Sequence, residues 1–256
     1  MKLSDQAQLE QEIIDLRKAL LNSQRSEGRA KAKTSDLVDA VHEAARLSLL
    51  ATPRAKVLPP PRDKRTGKAE VALVHLTDWQ AGKQTVSYDI GTLSARIDDM
   101  VDKVVQLTVI QRADHPVQDC VVMLGGDMVE GLGIFPGQVY EVGAHLFEQM
   151  FEVVRIIEDS IRTLAATFRT VTVVCEFGNH GRLGRKGDMP AGDNIDRMAY
   201  RIAAMNCKDV KHVKWQMSDD WYQIFAIGNY KVLLVHGDEI GSFGGILRKV
   251  SAWSTG

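Results

Sequence analysis

Four short apolar runs dominate the chain from Val71 onward. In order along the chain they read VALVHL, VVML, VTVVC and KVLLV. Short apolar runs that end at glycine or polar residues are typical of buried β-strands. Amphipathic stretches with a helical period follow the first three runs. This alternation predicts an α/β fold in which helices cover the strands.

Three stretches of the chain repeat apolar residues at the spacing of one helix face. They lie after the first, second and third strand-like runs. We expect these stripes to face the core and not to bind a cofactor. Their members are Leu93, Ile97, Met100, Val101, Val104 and Leu107, then Leu146, Met150, Val153, Ile157, Ile161, Leu164 and Phe168, then Ile195, Met198, Ile202 and Met205.

The last apolar run belongs to a longer segment, SDDWYQIFAIGNYKVLLVHGDE. Two strand-like runs flank Asn229, which predicts a β-hairpin. Such a hairpin would present an open edge.

Residues 1–50 carry a different pattern. Leucine and isoleucine alternate spacings of four and three, which is typical of the seam of a short coiled coil. A second apolar stripe before Pro53 predicts another helix. We therefore predict a helical extension that either pairs with a second copy or a partner protein, or remains a solvated helix. The seam is Leu9, Ile13, Leu16 and Leu20, and the second stripe is Leu37, Val38, Val41, Ala45 and Leu49.

Residues 51–70 separate this extension from the apolar runs. Three successive prolines predict an extended spacer. The segment contains two acidic residues, Asp63 and Glu70, and six basic ones. The basic residues are Arg54, Lys56, Arg62, Lys64, Arg65 and Lys68. The segment is interpreted either as a solvated linker or as a basic arm that contacts a polyanion.

Composition narrows the class of protein. With 256 residues, 45% hydrophobic, the chain can bury one core plus an appendage. A net charge of -1 supplies no overall field for nucleic acid, so such a partner would need a local patch and bound metals. Three cysteines without metal-site spacing predict buried thiols in a reducing compartment. Apolar stretches fall short of the roughly 20 residues of a membrane span, and the polar N-terminus is unlike a secretion signal. We expect a cytoplasmic protein without a membrane partner.

A residue type that binds metals follows each apolar run. These residues are Asp78 and Gln80, Asp127, Asn179 with His180, and His236. Each one taken singly has an ordinary explanation, such as a helix cap, a tight turn or a loop hydrogen bond. Side chains at the carboxyl ends of strands nevertheless converge on one crevice in open α/β sheets. The set therefore predicts a hydrolytic site with divalent cations.

This order of motifs resembles the calcineurin-like metallophosphoesterase superfamily, and within it the repair nucleases and related phage enzymes. The resemblance covers about residues 70 to 240 and implies an α/β/β/α sandwich. It implies that Asp127 bridges two metals and that Asp78 and Gln80 belong to the first metal. Asn179 and His236 would ligate the second metal.

The same resemblance implies phosphodiester hydrolysis by a water that two metals activate. Two divalent ions, Mn²⁺ first and Mg²⁺ or Zn²⁺ otherwise, neutralise the phosphate and lower the pKa of a bridging water to roughly 7. His180 would protonate or stabilise the leaving group. Arg182 and Arg185 would grip the phosphate, or would belong to a solvated loop.

Three departures from the family pattern qualify these expectations. Gln80 stands where the family usually has His, so the first metal would be held less tightly or would be Mn²⁺ or Mg²⁺ in preference to Zn²⁺. Gly181 replaces the acidic residue that follows Asn-His in the family, which removes an orienting partner of His180. The final Gly-His-x-His motif is absent, so a domain over 71–256 would need a C-terminal segment or a second polypeptide to complete it.

Three functions remain open at this point. The first is a DNA nuclease, the second is a non-catalytic scaffold of the same fold, and the third is a phosphomonoesterase acting on a nucleotide or a protein. The glycine-rich segment after Asp127 predicts a loop over the crevice, in which Phe135 either stacks on a base or anchors the loop. Glu130 and Gln138 are interpreted as structural.

Overall fold

The computed structural model describes residues 16–18, 20, 55–65, 67–187, 189–190, 192–240, 248 and 250–251. The chain divides into two units, Met1–Thr52 and Pro53–Gly256. In the first unit, Leu16, Arg17, Lys18 and Leu20 are helical. The remainder of the predicted coiled coil and the predicted second helix lie outside the described residues. Within the described part of the chain, no helix combines the length and the apolar character needed to cross a bilayer.

A parallel four-stranded sheet forms the centre of the second unit. Its strands are β1 (Glu70–Leu76), β2 (Val117–Leu124), β3 (Thr170–Cys175) and β4 (Val213–Met217), in the order β1-β2-β3-β4. The first three confirm the strands that the apolar runs predict. No run predicts β4, because VKWQM alternates polar and apolar residues over only five positions. The α/β class is confirmed.

Three helices connect these strands and confirm the three predicted stripes. They are α1 (Ile90–Gln111), α2 (Leu146–Thr167) and α3 (Ile195–Asn206). One assignment in the first stripe is wrong, because Leu107 is 59% exposed. At 100° per residue Leu107 lies about a quarter turn from the buried direction of α1. Thr108 takes the buried position, and its hydroxyl donates to the Val104 carbonyl at 2.7 Å.

The helices and a hairpin lie on opposite faces of the sheet. Consecutive parallel strands joined by right-handed crossovers place their helices on one face, and α2 packs against both α1 and α3. The predicted hairpin is confirmed as β5 (Tyr222–Ile227) and β6 (Tyr230–Val235), which pair antiparallel. A cluster of Val121, Met123, Val174, Phe225 and Leu234 packs the hairpin against β2 and β3. The unit therefore has three layers.

Residues 55–65 run without helix or strand along the amino-terminal edge of the sheet. The Asp63 backbone N–H donates to the Gln118 side chain at 2.9 Å. The Arg65 guanidinium donates to the carbonyls of Ala113 and His115. This part of the predicted linker is thus attached to the second unit, at the edge opposite the predicted metal ligands.

The three cysteines are free and buried, which confirms that the thiols are core residues. Burial raises the pKa of the Cys120 thiol to about 12. A thiol of that acidity is inert towards metals and oxidants near neutral pH.

Candidate metal centre

Four segments bring the predicted ligands to one edge of the sheet. Asp78 follows β1, Asp127 follows β2 and Asn179 follows β3. Parallel neighbouring strands end at the same edge, which is why three separate segments of the sequence meet. His236 follows β6 of the hairpin, and its Nδ1 donates to the Gly125 carbonyl at 2.9 Å. The hairpin thus delivers the fourth residue to the same place.

Three of the five predicted ligands have a left-handed backbone conformation. Among the described residues, only three non-glycine residues have a positive φ: Asp78 at 55°, Gln80 at 45° and Asp127 at 53°. Such a conformation costs on the order of 1–3 kcal/mol per residue and concentrates at functional sites. Backbone bonds from Asp78 N to the Gly126 carbonyl (3.0 Å) and from Gln80 N to the Asp127 carbonyl (2.9 Å) hold the two loops together. The sequence predicted these residues from their side chains, and the strained backbone is a separate property of the same residues.

Three side chains converge on one point and form what we call the ligand cluster: Asp127, Asn179 and His236. His236 Nε2 lies 3.0 Å from Asn179 Oδ1. The same nitrogen lies 3.2 Å from Asp127 Oδ2. Asp127 is 4% exposed, so water screens its charge poorly. A positive charge between these three side chains would therefore stabilise the buried Asp127 carboxylate.

A proton supplies that charge in the metal-free protein. The Gly125 carbonyl only accepts, so His236 Nδ1 carries a hydrogen and Nε2 faces two oxygen atoms. Burial lowers the pKa of His236, but the hydrogen bond and the charge of Asp127 outweigh burial and raise it to about 9. Burial in turn raises the pKa of Asp127, while His236 and the His180 N–H together lower it below its ordinary value. The pair is an imidazolium and a carboxylate.

The donor atoms of the ligand cluster suit a divalent ion in place of that proton. Carboxylate, amide oxygen and imidazole are the ligands of Mg²⁺, Mn²⁺ and Zn²⁺. An octahedral ion with bonds of 2.0–2.1 Å holds neighbouring ligands about 2.8–3.0 Å apart. The separations of 3.0 Å and 3.2 Å within the cluster are close to that value. The Gly125 carbonyl fixes the imidazole tautomer, as carbonyls do behind metal-bound histidines.

His180 lies beside the ligand cluster with its ring held from behind. Its Nδ1 donates to the Glu130 carbonyl at 2.9 Å, and its Nε2 lies 3.9 Å from Asp127 Oδ2. The Glu130 carboxylate, 2% exposed and with one oxygen unpaired, is 3.5 Å from Nδ1. Gly181 supplies no acidic side chain, as the sequence indicates, and the backbone carbonyl of Glu130 orients the His180 ring instead.

A buried carboxylate binds the backbone of both central loops. Asp196, in the first turn of α3, accepts backbone N–H groups of Asp127 (2.9 Å), Met128 (3.1 Å), Val129 (3.3 Å) and Gly178 (3.0 Å). Burial raises the pKa of Asp196 to about 6, while the N–H groups act in the opposite direction. This one side chain fixes the Asp127 loop relative to the Gly178 loop.

Two glycines allow these loops to touch. A Cβ on Gly178 would lie 2.0 Å from Asp127 Oδ1, and a Cβ on Gly126 would lie 2.5 Å from Gly178 N. Gly126 also has φ +93°, a conformation that L side chains avoid. The glycines of the Gly-Asp and Gly-Asn-His motifs are therefore required by close backbone packing.

Among the residues that the structure describes, Asp78 and Gln80 are linked to the loop of the ligand cluster only by the backbone hydrogen bonds that their N–H groups donate to Gly126 and Asp127. The Asp78 carboxylate accepts a hydrogen bond from the Thr77 hydroxyl at 2.7 Å. In the part of the chain that the structure describes, neither side chain bonds another predicted ligand, and no group of three or more His, Cys, Asp and Glu residues could hold a metal. The structure thus assembles the ligands predicted for the second metal, and it does not bring the first-metal ligands Asp78 and Gln80 into side-chain contact with them.

Arg182 is paired with a carboxylate. Its guanidinium bonds Asp238, and both side chains are 22% exposed. Nearby, Lys186 pairs with Glu239 at 2.9 Å. These pairs tie the loop after Asn179 to the loop after His236.

Sequence reasoning missed the functions of Glu130 and Asp196. A signal for Asp196 exists, because it shares a helix face with Ala199, Tyr200 and Ala203, all buried. An acidic residue on a buried face needs donors around it. No comparable signal exists for Glu130, since its contact with His180 depends on the path of two loops.

Comparison with known proteins identifies no similar family and no similar curated protein. A scan against models of protein families gives no match for this chain, and a search of curated proteins finds none that is similar to it. The functional assignment therefore depends on the chemistry and geometry of the site.

Proposed function

We propose that this protein is a metal-dependent phosphoesterase that hydrolyses phosphodiester bonds, with DNA as its substrate. The observation that carries the proposal is the convergence of Asp127 Oδ2 and Asn179 Oδ1 on His236 Nε2, at 3.2 Å and 3.0 Å. A carboxylate, an amide and an imidazole with a fixed tautomer form a donor set for a hard divalent cation.

Backbone strain supports the same assignment. The left-handed residues Asp78, Gln80 and Asp127 all belong to the predicted ligand set. Asp tolerates this conformation fairly well, whereas Gln has no such preference. Strained backbone conformations persist where the surrounding structure enforces them, and they cluster at functional sites. Metal binding is the function that these three residues would share.

The layer order also supports the proposal. Helices, a parallel sheet and an antiparallel hairpin follow one another through the second unit. The α/β/β/α sandwich of calcineurin-like metallophosphoesterases contains these layers in this order. We propose that β5 and β6 belong to the second sheet of such a sandwich.

The residues of the site have distinct roles in this proposal. Two Mn²⁺ ions, with Mg²⁺ or Zn²⁺ as alternatives, would neutralise the phosphate and make a bound water acidic. Asp127, Asn179 and His236 would hold one ion, and Asp127 with Asp78 and Gln80 the other. His180 presents Nε2 to the site because the Glu130 carbonyl holds Nδ1. In this role His180 Nε2 would donate a proton to the leaving oxygen.

Metal binding by the full chain tests the proposal. We expect calorimetric titration with Mn²⁺ to show saturable binding, and Asp127→Asn to weaken it by more than roughly tenfold, since even outer partners of metal ligands contribute about 10- to 100-fold. The matched control is Asp102→Asn, an exposed carboxylate on α1, which should bind as the native chain does.

Hydrolysis of a phosphodiester is the second measurement. With Mn²⁺ present, the native chain and Asp102→Asn should cleave single-stranded DNA, and Asp127→Asn should not. Cleavage or metal binding that survives Asp127→Asn unchanged would refute the proposal. Cleavage of a nucleoside monophosphate with no cleavage of DNA would assign the protein as a phosphomonoesterase instead.

A non-catalytic scaffold of the same fold is the second candidate. The observation that favours it is the lack of side-chain contact between Asp78 or Gln80 and the other predicted ligands among the described residues. A scaffold would bind no pair of ions and would cleave neither substrate. The stoichiometry of the Mn²⁺ titration separates the two candidates.

A further inference from the structure

Exposed apolar side chains are concentrated in the segment that follows Glu130. Leu132 is 44% exposed, Phe135 41%, Val139 49% and Tyr140 91%. Groups of exposed apolar side chains mark interaction sites more often than apolar residues that are exposed singly. This group lies directly beside the site proposed above.

Buried amides hold the segment in one conformation. Gln138, 4% exposed, accepts the backbone N–H groups of Ile134 (2.9 Å) and Phe135 (3.4 Å) and donates to the Glu130 carbonyl (2.6 Å). At the base of the segment, the fully buried Gln149 accepts the Gly131 N–H at 2.9 Å. The exposed rings are therefore presented by a fixed scaffold.

Phe135 is the member of this group that contacts the site. Its ring centroid lies 5.0 Å from that of His180, with the planes tilted by 50°. The neighbouring Ile134 is buried, with 7% exposure. The Phe135 ring contacts His180 and still leaves 41% of the residue exposed to solvent.

We propose that Phe135 forms a base-binding subsite in which a nucleobase stacks next to the scissile phosphate. The inference rests on the proposed phosphoesterase function, because the phosphate is what brings the ligand to His180. A group attached to that phosphate meets an aromatic ring and apolar neighbours, and no charged side chain of the segment 131–140 faces it, since that segment contains none. A nucleobase offers a flat π-face to such a surface, whereas a sugar or an alkyl group does not.

Affinity for two phosphate ligands tests the subsite. With Mg²⁺ present, calorimetry should show that deoxyadenosine 5′-monophosphate binds the native chain roughly 5- to 150-fold more tightly than 2-deoxyribose 5-phosphate, the range that one stacked base contributes. Phe135→Leu should abolish most of this ratio, and Phe135→Trp should retain it. Phe151→Leu is the control, because Phe151 is 45% exposed on α2 and should leave the ratio unchanged.

The outcomes separate the subsite from the proposed function. Equal affinity of the native chain for both ligands, or a ratio that survives Phe135→Leu, overturns the subsite, whether or not DNA cleavage depends on Asp127. Phenyl phosphate binding as tightly as the nucleotide overturns the nucleobase assignment. A ratio that falls in Phe135→Leu while DNA cleavage at saturation persists supports the subsite and shows that Phe135 acts in binding.

Discussion

Replacing Glu176 by Gln should stabilise the protein at neutral and alkaline pH. Glu176 follows β3 and is 1% exposed, beneath the hairpin. It accepts the Phe177 N–H at 3.1 Å and the Gln223 amide at 3.2 Å, while Gln223 Oε1 has no partner. A Gln at this position keeps an acceptor for Phe177. Once the Gln223 amide turns by about 180°, the new N–H group also donates to the Gln223 oxygen that lacks a partner. The substitution also removes a buried negative charge.

The magnitude follows from the acidity of the carboxyl. Burial raises the pKa of Glu176 from 4.5 to about 7, against smaller opposing effects of its hydrogen bonds. Because the folded state holds this proton more tightly than the unfolded chain, the stability contributed by protonation is complete below pH 4.5 and is lost as the pH rises through 7. At 1.36 kcal/mol per pH unit the loss is about 3 kcal/mol. Glu176→Gln should avoid this loss.

Urea denaturation at two pH values measures the effect. At about pH 8 the free energy of unfolding of Glu176→Gln should exceed that of the native chain by about 2–3 kcal/mol, and at about pH 5 the two should agree within about 1 kcal/mol. Glu141→Gln, an exposed position, should show no such dependence. A variant that is less stable than the native chain at pH 8 would mean that the ionised carboxylate is needed where it lies.

Three further predictions concern the loops and the core. In Asp196→Asn, two of the four backbone N–H groups would face the amide nitrogen, which is itself a donor. The Mn²⁺ affinity measured by calorimetry should therefore fall at least tenfold, while the circular dichroism spectrum should remain that of a folded protein. An unchanged affinity would contradict the positioning role of Asp196. Gly126→Ala should lower the free energy of unfolding by about 2–5 kcal/mol in urea titrations, because strain and a backbone clash add. Gly133→Ala has φ +74° but meets nothing within 4 Å, so it should lose only the strain contribution; equal losses would refute the clash. The three buried cysteines should resist an aromatic disulfide reagent until the protein unfolds, and rapid labelling of the native chain would contradict their burial.

The sequence was sufficient to predict the elements that bring ligands together. Asp127 and Asn179 each follow an apolar run, and apolar runs become central strands because burial on both faces requires them to be apolar. The stripe of α2 was assigned correctly because 22 residues carry six turns of one period. Leu107 was assigned wrongly because apolar character without a neighbouring layer does not bury a side chain.

The sequence could not predict how the ligands are supported. The contact of Glu130 with His180 joins residues 50 positions apart, and the bonds from Asp127 N to Asp196 join residues 69 positions apart. Local patterns report periodicity and turn chemistry, and they carry no information on which loops lie against each other. The left-handed backbone of Gln80 is also invisible in sequence, since Gln does not favour it.

Main-chain groups orient the side chains of this site. The Gly125 carbonyl fixes Nδ1 of His236, and the Glu130 carbonyl fixes Nδ1 of His180. Both imidazoles therefore direct Nε2 towards Asp127, and this holds as long as the two carbonyls keep their places. The positions of these loops thus determine which nitrogen of each histidine faces the Asp127 carboxylate. A substitution that displaces the Gly125–Glu130 backbone should consequently impair both histidines together, even though it removes no side chain of the site.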